Sequence, residues 1–156
     1  VNHPVSKKKF VILALLLAMS LTVTTYAKST APLPPILDIE KPSAEVSANL
    51  QPFSGMWEGS WSGASKLDHI LVVEKMTATT AEVIYSIGAL ESSPPRYWRS
   101  KATLNDSKRL LKMEWPQGLG KPPITVMYQL KSDTELVASW DNGQGAASTA
   151  AMKKVQ

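Results

Sequence analysis

From Gly55 onward the chain breaks into eight short segments in which apolar and polar side chains alternate, each separated from the next by turn-forming residues. The expected strands are Met56–Ser62, His69–Met76, Ala81–Gly88, Tyr97–Leu104, Arg109–Trp115, Ile124–Lys131, Glu135–Asp141 and Ala147–Val155. Ser62-Gly63, Thr77–Thr80, Ser93-Pro94-Pro95, Asn105-Asp106, Gly118–Pro123, Ser132-Asp133 and Asn142-Gly143 punctuate them. Eight short runs at this spacing predict an all-β sandwich or barrel. No segment after residue 54 has a helical period. Asn142-Gly143 is the sharpest hairpin signal, predicting a type I′ turn with positive φ at both central residues.

Alternation sorts the faces, because successive strand side chains point to opposite sides. Val83, Tyr85 and Ile87 share a face, as do Trp98, Ser100, Ala102 and Leu104; Leu111, Met113 and Trp115; Ile124, Val126, Tyr128 and Leu130; and Leu136, Ala138 and Trp140. One apolar face per strand suits an antiparallel meander with a single interior. Pairing the first strand with the last removes two exposed edges, so the expected fold is an eight-stranded antiparallel up-and-down β-barrel. Eight strands enclose a space that side chains just fill, or that holds one small ligand. Gly59, Ala102, Ala138, Ala147 and Ala151 are the small residues read as leaving room, with Ala147, Thr149 and Ala151 as the inward face of the last strand.

Ahead of the barrel, Lys7, Lys8 and Lys9 precede an apolar run from Phe10 to Met19 and a polar stretch ending Thr25-Tyr26-Ala27. This is the pattern of a signal peptide over 1–27, cleaved after Ala27; the run is short for a membrane span, and retention as an anchor is the competing reading. Its removal takes three of the 17 basic residues and none of the 13 acidic ones, leaving a net charge near +1 with no basic cluster. Nucleic-acid capture is therefore excluded from the expected functions. With no cysteine, stability must come from one core in one domain. The expected location is the periplasm or outside a bacterial cell. Residues 28–54, with Pro32, Pro34, Pro35, Pro42 and Pro52, read as an extended Pro-rich linker. A helical turn or two around Ser43–Leu50, capped by Ser43, is the exception.

Five tryptophans, Trp57, Trp61, Trp98, Trp115 and Trp140, all fall on apolar faces. They are either core or the aromatic wall of a small-molecule pocket. The candidate ligand-binding residues are Trp61, Tyr85, Trp98, Trp115 and Tyr128, with Trp61 and Trp115 nearest a barrel mouth.

Gly55-Met56-Trp57 opening an eight-stranded meander resembles the calycin group, which includes lipocalins and avidin-like barrels. The resemblance implies that Gly55 and Trp57 are structural, with Trp57 packed across the closed end. Lipocalins place an Arg near the last strand over that Trp; the basic residues at that place here are Lys153 and Lys154. Trp57-Glu58-Gly59-Ser60-Trp61, Leu71-Val72-Val73-Glu74 and Val83-Ile84-Tyr85-Ser86 are also similar to small lipocalin-like domains beside bacterial secreted hydrolases. That similarity implies an accessory or binding role.

Catalysis has little to work with. Once the signal leaves, His69 is the one histidine, and its neighbour Asp68 points to the opposite strand face. No nucleophile elbow or phosphate loop is present. His69 is read as a partly exposed residue at the start of a strand. A chain with no cysteine and one histidine predicts no zinc site, and Asp141-Asn142-Gly143 lacks the acidic spacing of a calcium loop. Arg96, Arg99 and Lys101 form a small basic cluster suited to an anionic group, or simply a solvated strand face. No cofactor is expected. The resulting expectation is a non-catalytic barrel binding a small apolar or sugar-like ligand. The competing one is a filled barrel that docks on an envelope enzyme.

Overall fold

Alternating side chains and an absence of helical period produce what they predict. In the computed structural model, which describes residues 29–63, 66–90 and 92–156, eight antiparallel strands close into one barrel in sequence order. The strands are β1 (Gly55–Trp61), β2 (Leu67–Met76), β3 (Thr80–Ile87), β4 (Arg96–Asn105), β5 (Leu110–Trp115), β6 (Ile124–Leu130), β7 (Glu135–Asp141) and β8 (Ala147–Lys154). Among the described residues the one helical element is a 3-10 turn at Gln51–Phe53. The signal-peptide reading falls on residues 1–27, outside the described residues.

Closure runs along β1 and β8, from Trp57 opposite Lys154 to Trp61 opposite Ala150. Gly59 sits in that seam, where a Cβ would collide with the Ala151 carbonyl and press to 2.8 Å from the Met152 side chain. A glycine is required there because two backbones approach closely. At the opposite wall the pairing is short. β4 meets β5 only from Thr103 opposite Lys112 to Asn105 opposite Leu110, so the stretch from Arg96 to Ala102 has β3 alone as its neighbour.

The interior parity is as expected on β1 and on β3 to β7, and reversed on β8. Ala150 and Met152 point inward, while Ala147, Thr149 and Ala151 are exposed. A run of Ala, Ser and Thr has almost no apolar contrast, and Met152 alone fixes the phase. The Asn142-Gly143 hairpin exists, but as a longer loop in which Asn142 N–H donates to Ala146 O. Gly143 has φ +67° and Asn142 does not share it, so this is no type I′ turn. Asn142 instead uses its side-chain oxygen to accept from the Gln144 and Ala146 amides, the local bonding to which Asn is prone.

The largest departure from expectation is the segment read as a linker. Residues 29–40 lie as a strap on the outside of β2 and β3. Ala31, Leu33, Leu37 and Ile39 pack there on Ile70, Val72 and Ile84. Thr30 N–H donates to Asp68 Oδ2 (2.7 Å), Asp38 N–H to Glu74 Oε1 (3.1 Å) and Glu40 N–H to Glu74 O (2.8 Å). A bulge between Val73 and Lys75 leaves Glu74 under the strap, where Arg99 pairs with it at 3.1 Å. Burial alone would raise the Glu74 carboxyl, but Arg99 and the Asp38 amide outweigh it and hold it low. Residues 46–53 then turn under the barrel. Val46, Leu50 and Phe53 are buried against the core as a plug. Over Ser43–Leu50 the expected turn or two form, as separate turns and not a continuous helix: Ser43 O accepts from Val46 N–H, and Ser47 O from the Leu50 and Gln51 N–H groups. Prolines forbid a ladder but not packing, and apolar residues set between them find two surfaces to cover.

Candidate functional site

The plugged end is solid. Trp57 lies fully buried across it, with its indole N–H donating to Phe53 O at 2.9 Å. Lys154 Nζ stands 5.3 Å from the Trp57 ring centroid and donates to Pro52 O at 2.9 Å. Burial pulls the Lys154 ammonium below the usual lysine value. Gly55 starts the first strand at φ +110°, pressed against the Gln156 carbonyl.

The other end is open. There the strand termini Trp61, Leu67, Ile87, Arg96, Trp115 and Ile124 ring a cavity of about 620 Å³. Trp61, Tyr85, Trp98, Trp115 and Trp140 give it aromatic walls, with Leu67, Ile87, Leu90 and Ile124 between them. Ser62, Arg96 and Ser148 supply polar groups. Arg96 lies over Trp98, its guanidinium carbon 5.0 Å from the ring. Tyr85 meets Trp98 tilted at 5.7 Å and Trp115 edge-on at 5.3 Å.

Beneath this cup lies a histidine-centred layer. His69 stacks on Trp61 at 5.0 Å and lies 4.7 Å from the Tyr85 ring and 5.8 Å from the Tyr128 ring. Its Nδ1 is 2.7 Å from Ser86 O and its Nε2 2.8 Å from the Tyr128 hydroxyl. A carbonyl only accepts, so Nδ1 carries the proton and Nε2 accepts from Tyr128. Burial drives the His69 pKa down to about 4, the bond to Ser86 O acting against it. The imidazole is therefore neutral near pH 7. Burial likewise pushes the Tyr128 hydroxyl well above its ordinary value, and the Tyr85 hydroxyl up to about 12. The expectation of a partly exposed His69 is thus corrected, since the residue is fully buried. It shares inward parity with Leu67 and Leu71, and the strap covers the outer side of its strand.

Of the five candidate ligand-binding residues, four line the cup: Trp61, Tyr85, Trp98 and Trp115. Tyr128 does not. It sits below the floor, fully buried, and spends its hydroxyl on His69. Trp140 and Arg96 line the cup and were not among the candidates, although Trp140 was already on the inward face and Arg96 shares the parity of Trp98. The basic cluster does not converge on the cup. Arg99 and Lys101 face outward, where Arg99 donates to Glu74 and, at 2.9 Å, to Ile36 O. Among the described residues, no group of three or more His, Asp or Glu could hold a metal ion, and no helix is long and apolar enough to cross a membrane.

No protein-family model matches the chain, and no curated protein matches it. Solved structures do resemble it. A redesigned β-barrel, b11L5F_LGL, superposes with a TM-score of 0.55 at 15% identity, over 73% of this chain and 100% of that one. A second redesigned barrel, mFAP1 bound to DFHBI, gives 0.51 at 14% identity, over 70% of this chain and 100% of that one. At these identities the likeness is one of fold.

Proposed function

We propose that this protein binds a small, largely apolar ligand in the aromatic cup and does not transform it. The observation that carries this reading is the open cavity of about 620 Å³ with five aromatic walls, within the size range of small-molecule sites. Its polar groups are too few to satisfy the many hydroxyls of a sugar, which favours apolar ligands over sugar-like ones. The histidine-centred layer supports binding without chemistry, because Nε2 of His69 is already occupied by Tyr128 and a group with a pKa of about 4 is a weak base at pH 7. The solved barrel seen with DFHBI supports the idea that a barrel of this fold can hold a small molecule. A calycin-like relationship is part of the proposal, supported by Lys154 over Trp57 at the plugged end. So is export, supported by the charged and apolar pattern over 1–27.

Tryptophan fluorescence, titrated with fatty acids, aromatic metabolites and oligosaccharides, tests the reading. Saturable quenching by an apolar compound is expected, with at least about tenfold weaker binding in Trp115→Ala, a loss typical of a buried aromatic anchor. Saturation by oligosaccharides alone, or by none of the compounds, would sink it.

A further inference from the structure

One pair of polar groups in the cup, Trp61 and Tyr85, has a donor left over. Trp61 is 5% exposed, and its indole N–H meets no acceptor at hydrogen-bond geometry. An indole can only donate, so nothing but an acceptor satisfies it. Next to it lies the Tyr85 hydroxyl, whose oxygen the indole N–H approaches without full hydrogen-bond geometry, so that the Tyr85 O–H is left as a donor with no acceptor among the described residues. His69, stacked between the two rings, offers neither nitrogen, since Ser86 O and Tyr128 hold both. The indole therefore leans on the Tyr85 oxygen, and the Tyr85 O–H remains as the free donor of the pair, turned to an otherwise apolar cup.

From this pair, and resting on the binding reading above, we infer that the ligand is a flat aromatic or conjugated molecule carrying an acceptor oxygen on its inner edge, received by the Tyr85 hydroxyl beside the Trp61 indole. The flat shape follows from the walls, because Trp98, Trp115 and Trp140 line the cup and aromatic rings pair best with a planar partner. The acceptor follows from the free donor. Tyr85 would then act as the specificity-determining residue, rejecting hydrocarbons of the same outline that leave its hydroxyl unmet.

The test compares 2-acetylnaphthalene with 2-isopropylnaphthalene, which match in shape and differ in the carbonyl, by calorimetric titration of the full chain and of its Tyr85→Phe variant. The expected result is about tenfold tighter binding of the ketone by the unaltered protein, the scale of one hydrogen bond. In Tyr85→Phe the preference disappears, because the ketone loses its donor and 2-isopropylnaphthalene no longer faces an unmet hydroxyl, and an unaltered near-ultraviolet circular dichroism spectrum certifies that the cup is intact. Equal binding of both compounds by the unaltered protein overturns the acceptor inference and leaves the binding reading standing. If neither compound binds, both fall.

Discussion

A chain trimmed to residues 55–156 is expected not to fold cooperatively at 25 °C, whereas residues 29–156 are expected to. Trimming removes the plug of Val46, Leu50 and Phe53, none more than 1% exposed. Burying such side chains contributes about 1.5–3 kcal/mol each. Three of them alone supply an amount comparable to the whole stability of a small domain, about 5–15 kcal/mol. The trimmed chain also leaves the Trp57 indole without Phe53 O and bares Ile70, Val72 and Ile84 on the outer wall. Circular dichroism melts of the two lengths decide the matter. A sharp transition of the shorter chain within a few degrees of the longer one would show that strap and plug are ornaments.

Acid weakens the fold through His69, a second large effect. Its pKa falls from 6.5 to about 4 in the folded protein. Between those values the unfolded chain holds a proton that the folded chain refuses. Stability is therefore complete above pH 6.5 and declines as pH falls toward 4. At about 1.4 kcal/mol for each pH unit, the ceiling on the loss is about 3 kcal/mol. Urea unfolding at pH 7 and pH 4.5 measures it against His69→Phe. That variant is expected to be less stable at pH 7, because it removes the His69 bonds to Ser86 O and the Tyr128 hydroxyl, yet to lose less between the two pH values. An identical loss in both proteins would mean that carboxylates such as Glu74 and Asp68, both held low by hydrogen bonds, account for all the acid sensitivity.

The barrel was legible because its strands carry contrast. Leu111, Met113 and Trp115 against Lys112 and Glu114 leave one choice of face, and the strand limits follow from Gly, Pro, Asn and Ser at the turns. Where contrast vanishes the reading fails, as in β8, where Ala147 to Ala151 gives no preferred side until Met152 is reached. The strap and plug were hidden behind their prolines, although two signals for them were present. Ile70-Leu71-Val72-Val73 is apolar without interruption, which means that β2 is buried on both faces and something must cover its outer side. Val46, Leu50 and Phe53 are spaced three and four apart, too apolar for a solvated spacer. The cup was legible in part. Trp61 and Trp115 could be placed near strand ends by counting residues. The difference between Tyr85, which opens into the cup, and Tyr128, which lies under its floor, depends on how far along its own strand each residue sits relative to the mouth, and that is set by the stagger of neighbouring strands.

The short pairing of β4 with β5 has a mechanical meaning. A tube cut along part of its length loses most of its stiffness in torsion, and the loss is concentrated at the cut. Here the cut runs from the mouth down to Thr103, flanked by Trp98 on one lip and Trp115 on the other. The opposite end, bolted by Trp57, Lys154 and Phe53, remains an intact hoop. Compliance and rigidity are thus dealt to different ends of one sheet, so that the rim can yield to the girth of a guest while the base keeps its shape.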